Sequence, residues 1–202
     1  MFELYLVDPT SESSMPRPIP DFFMDAAIQE LTMLGYYRAE PEIEVRIKDD
    51  FISLTSTSTI ITFNGKASVF PPRSTPAKGL KLIDEVYEVE GNEVRVPLDV
   101  QHGATDRYYV KFKRTSSKVK EVSDTHYWLS PVTGFVVIFQ YSDKHSCGIE
   151  KLTGRRSGLP PEPSSGSEKW RIVYKYDAAS FSGQGFSWWV KWLNLNESRS
   201  GR

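Results

Sequence analysis

Two stretches share the pattern S-D-x-H, Ser123-Asp124-Thr125-His126 and Ser142-Asp143-Lys144-His145, and Cys147 stands two residues beyond the second histidine. A cysteine attacks as its thiolate, which needs a base beside it, and a histidine base needs a carboxylate to hold its tautomer. Asp143, His145 and Cys147 supply those residue types, with Asp124 as a second carboxylate. The chemistry they would perform is that of a Cys/His-dependent hydrolase or transferase. Residues two apart in a strand face the same way, but that alone fixes no third partner, and Asp before His is also ordinary turn chemistry. The catalytic reading is therefore an alternative. His102, His126, His145 and Cys147 lack the close paired spacing of a structural zinc site, so neither a metal nor a cofactor is expected.

A second constellation is basic. Between Arg107 and Lys120 there are six positive residues and no acidic one. On a strand, Tyr109, Lys111 and Lys113 share one face while Tyr108, Val110 and Phe112 share the other. An aromatic ring beside lysines on an exposed sheet can stack a base and hold a phosphate, which makes single-stranded nucleic-acid binding a further alternative. The acidic residues Asp84, Glu85, Glu88, Glu90, Glu93 and Asp99 lie upstream, and cross-strand neutralisation by them is the plainer account.

The third is aromatic. In Phe186-Ser187-Trp188-Trp189-Val190-Lys191-Trp192, Trp188, Val190 and Trp192 point one way and Trp189 and Lys191 the other. Adjacent tryptophans on a strand do not enter the same core, and an outward Trp anchors a partner well. Arg155 and Arg156, between Gly154 and Gly158, could add an anion contact. No G-x-S-x-G, H-E-x-x-H or P-loop pattern is present, and Gly183-Gln184-Gly185 lacks the third glycine of a dinucleotide loop.

These residues must be positioned by strands. Asp21 to Leu34 predicts the one helix, capped by Asp21 and stopped by Gly35, with Phe23, Ala27, Leu31 and Leu34 on an apolar stripe flanked by Met24 and Ile28. After it the period changes to two. Ile43, Val45 and Ile47 alternate with Glu42, Glu44, Arg46 and Lys48, Asp49-Asp50 turns the chain, and Phe51 to Leu54 starts the next strand. The Ser/Thr run at 53–58 suits an exposed edge, a place for self-association, or a row facing a barrel lumen. Asn64-Gly65 predicts a hairpin between 59–63 and 66–70. A second hairpin is expected around Gly91-Asn92 and a third around 131–134. Residues 142–168 lack periodicity and are expected to form a long mobile loop, and 196–202 a disordered tail.

The fold class is mainly β (α+β): an antiparallel barrel or two-sheet sandwich of roughly ten strands, with one N-terminal helix packed on it. Residues 1–195 are expected to form a single domain. Of the 202 residues 39% are hydrophobic and 13% aromatic, enough to bury a core without metal or disulfide staples. Lysine plus arginine total 25 against 26 acidic residues, a balance that weighs against nucleic acid and anionic membrane. No apolar run approaches the ~20 residues of a membrane span. The single cysteine and the absence of a signal-peptide pattern give a cytoplasmic expectation, which sets aside the Asn196-Glu197-Ser198 sequon. By elimination the leading expectation is a non-catalytic binding or interaction protein. Trp188, Trp189 and Lys191, with the loop carrying Arg155 and Arg156, would engage a protein, peptide or small ligand, or a second copy of the chain.

Overall fold

Alternation of apolar and polar residues builds most of the molecule. The computed structural model describes residues 5–6, 17–18, 21–76, 79–95, 97–153, 162–164, 167–177 and 179–193. The first elements are β1 (Tyr5–Leu6), β2 (Arg17–Pro18), α1 (Asp21–Leu34), β3 (Tyr36–Ile47), β4 (Phe51–Thr62), β5 (Lys66–Val69), β6 (Arg73–Pro76), β7 (Leu80–Val89) and β8 (Asn92–Glu93). The chain continues through β9 (Leu98–Gln101), β10 (Thr105–Arg114), β11 (Glu121–Tyr127) and β12 (Val132–Thr133). It ends with β13 (Phe135–Gln140), β14 (His145–Thr153), β15 (Arg171–Tyr176) and β16 (Gly185–Trp192).

A long sheet runs β15-β13-β3-β4-β10-β7-β8, with β12 also beside β3, and a short one runs β14-β16-β11-β6. All pairs are antiparallel except β12 and β13 on β3. Neither of these sheets closes on itself, so the mainly β fold is a sandwich and not a barrel. Aromatic side chains join the two layers: Phe139 meets Trp188 at 6.5 Å between centroids and Phe135 meets Phe186 at 5.8 Å.

The helix spans the expected residues. Gly35 adopts φ 72°, which an L side chain adopts at a cost, and its N–H bonds Leu31 O at 2.9 Å. Leu34 packs on the core, and the Glu30 carboxylate accepts the Ser182 N–H at 2.9 Å. Ile28, expected on the flank of the apolar stripe, is instead exposed.

Five expectations are corrected by the pairing. Asn64-Gly65 turns the chain but makes no hairpin: both edges of β4 are taken by β3 and β10, and β5 pairs with β9. For the same reason the Ser/Thr run at 53–58 is central in the long sheet and offers no edge. The segment around 131–134 is a crossing between layers, because β11 belongs to the short sheet while β13 joins β3 and β15. Residues 145–153, expected within a loop, form β14, held by backbone bonds to β16 that need no apolar alternation. The second hairpin forms one residue earlier than expected. Glu90 and Gly91 take the two positive φ values of its turn, and Val89 pairs with Asn92. Residues 154–161 and the tail 196–202 lie outside the described residues. No described helix is long and apolar enough to cross a membrane.

Candidate anion-binding face

Three neighbouring strands of the long sheet turn their apolar residues inward and a basic, aromatic set outward. On β3, Ile43, Val45 and Ile47 are buried, which leaves Glu44 and Arg46 outside, followed by Lys48 in the turn. On β4, burial of Ile52 and Leu54 leaves Phe51, Ser53 and Thr55 outside. On β10, burial of Val110 and Phe112 leaves Tyr109, Lys111 and Lys113 outside. The register places Lys113 opposite Phe51, Lys111 opposite Ser53 and Tyr109 opposite Thr55, and it places Arg46 on the other side of Ser53.

The result is a groove of about 300 Å³ lined by Arg46, Lys48, Phe51, Ser53, Tyr109 and Lys111. The Lys111 ammonium lies 4.9 Å from the centroid of Phe51 and that of Lys113 5.8 Å from the same ring. Among the described residues, none of Lys48, Lys111 and Lys113 forms an ion pair. Upstream acids do neutralise part of β10, since Arg107 meets Glu88 at 3.8 Å. Asp84 stands opposite Lys111 in the register, yet the two make no ion pair. Arg46 is held by Glu44 at 2.7 Å. Two cations crowd one ring with no described acid paired to either, an arrangement suited to drawing in an anion.

Tyr109, Lys111 and Lys113 thus share a face as expected. Sequence reasoning missed Arg46, Lys48, Phe51 and Ser53. The alternation at 42–48 puts Arg46 and Lys48 on an outward face, but only the pairing of β4 between β3 and β10 brings them beside the lysines.

The other candidates fare differently. Cys147 is buried, and burial pushes its thiol up to about 12 with no cation offsetting it, opposite to what a nucleophilic thiol needs. His145 is buried too; its Nδ1 meets Ser142 Oγ at 3.0 Å and its ring meets the edge of Trp192. Burial first, then Lys144 and Arg114, lower its pKa against the opposing pull of Asp49 and Asp143. Asp143 is exposed. His126 is fully buried among Tyr108, Trp128 and Phe186.

Trp188 is completely buried, so it belongs to the core. Trp189 faces the other way, half-buried beside Gly148, where a Cβ would stand 3.5 Å from the indole. Lys191 is exposed on that face. Arg155 and Arg156 lie outside the described residues. Among the described residues no three His, Cys, Asp or Glu side chains converge on a metal-sized space.

No protein-family model matches the chain, and no curated protein sequence matches it. Its likeness to solved structures is faint, as two of them illustrate. Native leukotriene A4 hydrolase from Saccharomyces cerevisiae aligns at 5% identity and TM-score 0.38, over 78% of this chain and 29% of its own. A putative protease from Parabacteroides distasonis aligns at 9% identity and TM-score 0.40, over 78% of this chain and 40% of its own. The chain spans less than half the length of either, and no residue role passes from them to it.

Proposed function

We propose that the protein is a non-catalytic binding module that takes a phosphate-bearing polyanion on the outer face of its long sheet, over Arg46, Lys48, Lys111 and Lys113. The observation that carries this is the pair of ammonium groups over the Phe51 ring, at 4.9 and 5.8 Å, with no described ion pair to either. Like charges held this close repel, and an arriving anion relieves the repulsion while it forms charge-assisted hydrogen bonds. The groove is backed by strands, so backbone pairing fixes where the cation-bearing residues stand on the face. Support for a binding role over catalysis is the burial of Cys147 and His145 within the sandwich. A cytoplasmic location goes with this reading, supported by the single free thiol. Trp189 and Lys191 lie on the short sheet, apart from this face.

The test is calorimetric titration with inorganic polyphosphate. Wild-type protein should bind it, and affinity should fall about tenfold or more from low to moderately high salt. The double variant Lys111→Glu/Lys113→Glu should lose binding with its circular dichroism unchanged, and Trp189→Ala should retain it. No binding by wild-type protein, or equal binding by the folded double variant, would sink the proposal.

A further inference from the structure

We infer that the polyanion is a single-stranded nucleic acid, with one base stacked on Phe51, another on Tyr109, and the backbone between them on Lys111, Arg46 and Lys48. This rests on the reading above and adds a ligand class to it. A phosphate chain alone uses the cations and has no use for aromatic rings, yet the groove has one at each end. Phe51 lies opposite Lys113, and Tyr109 is four residues back along β10, so the two rings stand about 14 Å apart along the strands. Both are half-buried, with part of their surface turned to the groove.

That separation selects against a duplex. Consecutive bases of a helical strand lie about 3.4 Å apart and cover one another's faces, whereas these two rings need bases that are splayed and unstacked. A single strand supplies them. Ser53 and Thr55 lie between the rings on β4, with hydroxyls on the outward face that can reach phosphate or sugar. Phe51 carries the lysine ammonium groups on its ring. Phosphates that draw those groups away uncover the ring for a base, so backbone and base contacts reinforce each other. Glu44, paired to Arg46, and Asp84, opposite Lys111, flank this path, and Glu42 lies farther along the same face, so the strand is expected to keep to the lysine side of β4. Stacking reads the π-face common to all bases, so sequence preference should be slight.

Fluorescence anisotropy with a labelled oligouridylate, an abasic strand of equal length and charge, and a duplex decides the matter. The base-bearing strand should bind tightest, with a log–log salt slope of about −3 for four cations. Phe51→Ala and Tyr109→Ala should each weaken it about 5- to 100-fold, a larger loss than either causes for the abasic strand, while Phe51→Trp and Tyr109→Phe, which keep a ring, should bind like wild type. Equal affinity for the abasic strand, or indifference to both alanine variants, overturns the inference and leaves the polyanion reading standing. Failure to bind either strand or polyphosphate overturns both.

Discussion

Asp124 and His126 sit two residues apart on β11, both facing the core, and burial acts on them in opposite directions. Burial pushes the Asp124 carboxyl up to about 6, outweighing the polar groups of Thr125, Ser74, Thr75 and Trp188 around it. Burial, and then the charge of Arg38, pushes His126 down to about 3. For Asp124 the folded state holds its proton more tightly than the unfolded chain. Stability is therefore lost as pH rises from about 4 through about 6, by about 3 kcal/mol in all. For His126 the unfolded chain takes the proton more readily, so stability is lost as pH falls from about 6.5 towards about 3, by up to about 5 kcal/mol. The two nearly cancel between about pH 6 and pH 4. Asp124→Asn should stabilise the protein near pH 7 and give urea midpoints that fall steadily on acidification. His126→Phe should do the reverse over the same window. A wild-type profile that steepens sharply there would show the cancellation to be absent.

At the scale of elements, side chains link strands that backbone bonds do not. Arg38 on β3 reaches over β4 to Asp106 on β10, with Nε 2.8 Å from the carboxylate, and Tyr87 on β7 donates to the same oxygen at 3.0 Å. Ser58 on β4 donates to the other oxygen, and Arg38 also bonds Ser130. Both charges are buried, so removing one strands the other. Asp106→Ala should cost about 3–5 kcal/mol in denaturant unfolding, while Arg38→Met/Asp106→Leu together should recover most of it. A different constraint acts where β16 starts. A Cβ on Gly185 would lie 1.8 Å from the His126 carbonyl oxygen, and backbone cannot yield as a flexible side chain does. Gly185→Ala should cost about 3 kcal/mol or more and loosen β16 from β11, seen as faster amide exchange at their ladder.

For the molecule as a whole, charge distribution matters more than its sum. The chain is nearly neutral, with 25 basic and 26 acidic residues, yet Arg46, Lys48, Lys111 and Lys113 gather towards one end of a sheet face whose other end carries Glu42 and Glu88. Net charge therefore does not reveal this local gathering of cations. The sandwich also decides the fate of the one thiol. Cys147 lies on β14 with Val190 opposite it on β16, so reagents reach it only when the layers open. Its alkylation in native buffer should be about 100-fold or more slower than in urea and should track unfolding. Rapid modification of the folded protein would restore the case for a reactive cysteine.

Local pattern by itself determined the helix at 21–34 with its Gly35 stop, the inward and outward faces of β3 and β10, the turn at Asp49-Asp50 and the opposed faces of Trp188 and Trp189. Each depends on chain periodicity or on φ preferences within a few residues, which are properties of the sequence. What the tertiary structure decided was partnership. Asn64-Gly65 is a sound turn signal, but β4 had no free edge, so β5 paired elsewhere. The Ser/Thr run at 53–58 resembles an edge because side-chain polarity does not reveal whether backbone groups are already bonded. His145 and Cys147 have the types of a catalytic pair, and only the layer packed over them shows them buried. The groove itself needed β4 between β3 and β10, since Phe51 and Arg46 join Lys111 through hydrogen bonds between segments some sixty residues apart in the chain, a choice made by competition among all strand edges at once.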